Sequence, residues 1–191
     1  MARTPRRNHV AAVSPAGLKT FFQRLVNPAF ATLGLGDREV VDYIVDLLGR
    51  FARTEHLYRI RDARGQRLDT IAEMLIEQSR QWSADTPYSF DREVDIRRHL
   101  GDYTLFMSGM FRGYTESHSS LDYYLAEGRR AYGAVADLRQ MSFAADVRLF
   151  QALSDQFEHL SGALDYVRKV HLRPELHSGP YRDIARDLNL P

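Results

Sequence analysis

From Phe143 to Val167 the apolar residues fall on alternating steps of three and four: Phe143, Phe150, Leu153, Phe157, Leu160, Leu164 and Val167, with Asp146 or Val147 filling one gap. Only a helix keeps such a set on one face, since a strand turns successive side chains to opposite sides. The run predicts one long helix, read either as the central member of the chain's own bundle or as a dimer seam. Phe150 and Phe157 are bulky for a two-stranded seam, which favours the internal reading.

The same periodicity recurs upstream. Ser14-Pro15 reads as an N-cap followed by proline at the first helical position, with Leu18, Phe21, Phe22 and Leu25 as a stripe that Asn27-Pro28 should end. Asp37 is placed to cap a second helix carrying Val40, Ile44, Leu47, Leu48 and Phe51. Residues 57–68 alternate briefly around Ala63-Arg64-Gly65 and predict a short hairpin or extended loop. Further helices are expected from about Asp69 to Arg80, from about Arg92 to Phe111, and from Ser119 or Ser120 onward through Leu121, Leu125, Gly128, Tyr132, Val135 and Leu138. Gly113 to Ser119 reads as loop. The expected fold is an all-α antiparallel bundle of five to seven helices over residues 14–173, with a basic, flexible tail at 1–13 and a short helix in the extension at 174–191.

Composition narrows the chemistry. In 191 residues, 44% are hydrophobic and 27% charged, enough apolar side chain for one compact domain. The absence of cysteine removes disulfides, thiolate nucleophiles, cysteine zinc sites and cysteine-ligated clusters. No run of apolar residues is long enough for a membrane-spanning helix, so a cytoplasmic protein without membrane association is expected. The 26 basic side chains nearly balance the 25 acidic ones, which argues against a general polyanion coat and leaves local patches open.

The segment from His99 to Phe111 is the least ordinary. Gly101, Ser108 and Gly109 interrupt a strongly apolar helix. Tight helix crossing, through Gly128 and Gly133 of a partner helix, explains them best; the alternative is a ligand space among Phe106, Met107, Met110 and Phe111. Asp95, His99 and Asp102 share one stripe of that helix, where a carboxylate can orient an imidazole for proton transfer or metal binding. A metal would need additional ligands, such as Glu93, His118, Glu127 or Glu158, and no metal site is assigned. The preferred reading is a structural Asp–His–Arg network with Arg97 and Arg98 as partners.

Recognisable catalytic motifs are missing. There is no Glu-x-x-His pair of the di-iron bundles, no Gly-x-Ser-x-Gly elbow, no phosphate-cradling Gly-x-x-x-x-Gly-Lys loop, no dinucleotide fingerprint and no His-Glu-x-x-His. Arg50, Arg53, Arg59, Arg61, Arg64 and Arg67 fall within eighteen residues and suit a phosphate-rich partner, or else form a solvated face paired with Asp42, Asp46, Asp69 and Glu73, the preferred reading. Tyr123, Tyr124 and Tyr132 either present hydroxyls to a cavity or sit half-buried with wet tips.

The run Arg98-His99-Leu100-Gly101-Asp102-Tyr103-Thr104-Leu105-Phe106, with Leu121-Asp122-Tyr123-Tyr124 and Gly128-Arg129-Arg130-Ala131-Tyr132, resembles uncharacterised helical proteins of bacteria over roughly residues 40 to 170. The resemblance implies fold and source and carries no activity. The expected function is a soluble helical interaction or regulatory protein, self-associating as a homodimer or binding another protein. The first alternative is a small-molecule or metal-binding bundle, a possible enzyme, using His99, Asp102, Tyr103, Phe106, Met110 and Glu127. The second is nonspecific nucleic-acid binding by Arg59, Arg61, Arg64 and Arg67. No cofactor is assigned.

Overall fold

The computed structural model describes residues 14–53, 56, 59–62, 64–68, 70–80, 88–118 and 120–172; the basic tail, the 81–87 linker and the 174–191 extension lie outside them. The described part is all-α. Its eight helices are α1 (Pro15–Thr32), α2 (Arg38–Phe51), α3 (Ile71–Arg80), α4 (Phe90–Met110), α5 (Arg112–His118), α6 (Leu121–Met141), α7 (Val147–Asp155) and α8 (Phe157–His171). No helix among the described residues is long and apolar enough to cross a membrane.

Local chemistry sets the starts of the first helices. Ser14 Oγ accepts from the Gly17 N–H at 3.2 Å, and the Asp37 carboxylate accepts from Glu39 and Val40 at 2.9 and 3.3 Å. At α3 a reciprocal capping box forms, Thr70 Oγ1 accepting from the Glu73 N–H while Glu73 accepts from the Thr70 N–H. Each device satisfies backbone donors that the first turn leaves without partners. Between α2 and α3, Arg61 and Arg67 form a single antiparallel bridge around Gly65, whose φ is +78°, so the expected hairpin exists in its smallest form.

Three boundaries differ from the sequence expectation. First, α1 runs through Pro28 to Thr32. Arg24 and Pro28 lie on the solvent face, so the carbonyl that proline cannot bond is on the open side of the helix, while Ala29 and Phe30 are buried beyond it. Second, residues 112–118 are helical, held by an Arg112–Glu116 pair at 3.1 Å and by the buried Thr115. Third, the long C-terminal helix is two helices meeting at Gln156, and Phe143 lies outside both. Phe150, Leu153, Phe157, Leu160, Leu164 and Val167 are nevertheless all buried within the chain. The internal reading of the stripe therefore holds for these residues, and a dimer seam along them does not.

Phe143 ends α6 in an unusual way. The Ala144 N–H bonds the Arg139 carbonyl and the Phe143 N–H bonds the Gln140 carbonyl, the two bonds of a Schellman motif, with Phe143 at φ +53°. The same motif ends α1 with Gly34 in the left-handed position, at φ +73°. A side chain there costs about 1–2 kcal/mol relative to glycine. This one is also 96% exposed.

α4 is the central helix and packs on α2, α3, α5, α6 and α8. Its small residues work as expected for tight crossing. A Cβ on Gly101 would stand 2.7 Å from the Tyr132 ring, one on Gly109 2.5 Å from Leu164, and one on Gly128 of α6 2.0 Å from Phe157. These notches are filled by rings and leucine from neighbouring helices.

Candidate functional site

Asp102 faces inward from the middle of α4 and is 1% exposed. A carboxylate there must be hydrogen-bonded to be tolerable. Its Oδ1 accepts from the Tyr43 hydroxyl of α2 at 2.5 Å and from the Tyr132 hydroxyl of α6 at 2.8 Å, while Oδ2 accepts from Arg50 Nη2 at 3.0 Å. One side chain thus ties three helices together. Because the Tyr43 hydroxyl donates to Asp102, its lone pairs are free to accept from Arg98 Nε at 3.3 Å.

The aromatic surroundings hold this cluster in place. Tyr43 meets Tyr132 and Phe150 edge-on, with ring centroids 6.2 and 5.8 Å apart. The Arg50 and Arg98 guanidinium carbons lie 5.9 and 5.5 Å from the Tyr43 ring centroid, and Arg98 also lies 6.0 Å from that of Phe150. Burial and the neighbouring Asp102 charge push both tyrosine hydroxyls well above the ordinary tyrosine range. Burial opposes the charge of Arg50, but the attraction of Asp102 and Tyr43 outweighs it and raises the arginine further. Arg98 is likewise raised, by Tyr43 and Asp102 against burial.

Above this floor opens a cleft of about 490 Å³ between the start of α1, one face of α2 and Arg98 of α4. Tyr43, Arg50 and Arg98 form its base, and Lys19, Arg53 and His56 stand around it. Lys19 is paired with Asp46 at 2.8 Å, which raises its affinity for the proton. Arg53 and Arg98 make no ion pair among the described residues. The volume is in the range of small-molecule sites.

The residues singled out from sequence scatter relative to this cleft. His99 is buried against Phe51, with ring centroids 5.7 Å apart, and Phe106 packs on Phe51 and Phe111 at 5.3 and 5.5 Å. Met110 and Tyr103 are also buried. Glu127 pairs with Arg130 at 2.5 Å, Asp95 with Arg59 at 3.4 Å, and Glu93 with Arg97 at 2.7 Å, so the stripe Asp95–His99–Asp102 is not one unit. Asp102 is the member that reaches the site, with tyrosines and Arg50 as its partners. The arginine run divides: Arg50 and Arg53 line the cleft, Arg61 Nη1 bonds the Gly65 carbonyl at 2.9 Å, and Arg64 and Arg67 are exposed on the hairpin. Of the acids expected to neutralise the run, Asp42 pairs with Arg38 and Asp46 with Lys19, Glu73 caps α3, and Asp69 lies outside the described residues. Among the described residues no group of three or more His, Asp or Glu is positioned to hold a metal ion.

Sequence reasoning missed Tyr43, Lys19 and the role of Arg98 as a cleft residue. A signal for the first existed: Tyr43 and Arg50 are seven residues apart beside the apolar stripe of α2, and so share a face. No family model, curated protein or solved structure matches the chain.

Proposed function

We propose that this chain is a ligand-binding helical module whose cleft between α1, α2 and α4 holds a small anionic molecule. The observation that carries the reading is Arg98. It is half-buried, oriented through Nε by the Tyr43 hydroxyl, and lines a cleft in which no carboxylate pairs with it. Arginine's planar fork suits carboxylates and phosphates, so an oriented guanidinium that feels Asp102 at a distance but forms no direct ion pair among the described residues is a ready anion contact. The proposal also places the protein in the cytoplasm, where a cysteine-free chain needs no oxidative folding.

Melting in citrate, pyrophosphate and phosphate, each against chloride at matched ionic strength, tests this. At least one multivalent anion is expected to give a saturable rise in Tm that Arg98→Gln abolishes and Arg53→Gln weakens. Among the described residues the Arg53 side chain makes no ion pair, so its variant keeps the test valid if Arg98→Gln folds poorly. The absence of a saturable shift with any of the three overturns the reading.

Self-association is a second reading, favoured by one observation. Phe143 and Met141, 96% and 72% exposed, stand together at the α6–α7 corner, and Phe143 bears the left-handed strain described above. On this reading the corner meets a second copy of the chain. Light scattering over a concentration series is expected to show a dimer that Phe143→Gly dissociates while raising monomer stability by about 1 kcal/mol. A wild-type monomer at all concentrations ends it.

A further inference from the structure

We infer that the anion is the dianionic head of a phosphate monoester, with its organic group against Pro15 and Ala16; the inference rests on the anion-binding reading above. Charge is the first argument. Four permanent cations line or floor the cleft, Lys19, Arg50, Arg53 and Arg98, against two acids, Asp46 and the buried Asp102 behind Arg50, which leaves an excess of two positive charges. A single negative charge neutralises half of that excess.

Convergence is the second argument. Arg50 and Arg98 both approach the Tyr43 ring, and Arg98 opposes the charge of Arg50. Arg50 already faces Asp102, so the open position for a compact double charge is beside Arg98. Two carboxylates separated along a carbon chain meet this arrangement less well, whereas a phosphate carries both charges on one tetrahedral group with three acceptor oxygens. The first residues of α1 line the same cleft, no acid occupies its first turn, and the positive end of the helix dipole, equivalent to about half a charge, adds to the field.

Size is the third. An inorganic phosphate occupies only a small part of about 490 Å³, and the space beside the charges is bordered by Pro15, Ala16 and Gly49, which offer contact to an uncharged organic group.

Phenyl phosphate and phenyl sulfate separate charge from shape, because at pH 7.5 the first is mainly a dianion and the second a monoanion of the same geometry. Calorimetric titration of the full chain at fixed ionic strength is expected to show phenyl phosphate binding about 10-fold or more tightly than phenyl sulfate. Inorganic phosphate is expected to bind more weakly than phenyl phosphate, and Arg53→Gln to narrow the phosphate-to-sulfate ratio. Equal affinities for the two phenyl esters overturn the dianion inference while leaving the cleft as an anion site. Binding of citrate alone does the same. Failure of all these anions to bind overturns both.

Discussion

Asp102→Ala is expected to lower the free energy of unfolding by about 3–5 kcal/mol, a large part of what a domain of this size possesses. The substitution leaves the Arg50 charge facing a partly buried site and strands two buried hydroxyls, those of Tyr43 and Tyr132, without their acceptor. Tyr43→Phe and Tyr132→Phe each delete one donor and leave Asp102 two others, so about 1 kcal/mol apiece is expected. Urea denaturation of the three variants checks the order. An Asp102→Ala loss no larger than that of either phenylalanine variant would show that the carboxylate is not the junction of the three helices. The large cost of breaking the cluster is not a measure of its net worth. A well-packed apolar replacement of every member is often neutral or stabilising, so stability alone does not account for a charged cluster here. On the proposed anion-binding reading, the cluster holds an arginine at the base of the cleft.

Alkaline pH provides the second large effect. Tyr43 and Tyr132 have folded-state pKa values above their unfolded value of about 10. Below pH 10 both are protonated in either state and their contribution is complete. Above it the unfolded chain releases these protons while the folded chain retains them, so stability falls as pH rises toward the folded pKa values. The slope is about 1.4 kcal/mol per pH unit for each tyrosine, hence roughly 2–3 kcal/mol lost by pH 11 from the pair. Denaturation between pH 9 and 11 is expected to show this decline, and the Tyr43→Phe, Tyr132→Phe double variant to reduce it. A double variant as alkali-sensitive as the parent would remove these tyrosines from the linkage.

The helices were legible where local chemistry and periodicity agree. Ser14-Pro15, Asp37 and the stripe of α2 specify their turns through contacts within a few residues, and the structure repeats them. The errors arose where tertiary contact outweighs a local breaker. Pro28 stays helical because its face is wet and Phe30 has a core to enter; Thr115 keeps residues 112–118 helical by being buried. At Phe143 the chain turns although the spacing continues, because apolar spacing alone does not reveal a left-handed residue.

The site was legible only as parts. Asp102 stood out as an acid in an apolar helix, and Arg50 as one of a basic run, but sequence spacing couples Asp102 to His99 and Asp95, its neighbours on one stripe. The structure couples it to residues 59, 52 and 30 positions away, Tyr43, Arg50 and Tyr132. Sequence by itself determined an all-α chain, the starts of its capped helices, their apolar faces, and the glycine notches that admit neighbouring side chains between them, since these follow from backbone periodicity and short-range hydrogen bonding. Only the tertiary structure decided which polar groups share a low-dielectric interior, because pairing across helices depends on how the apolar faces dock and a buried charge accepts whatever donors that docking brings.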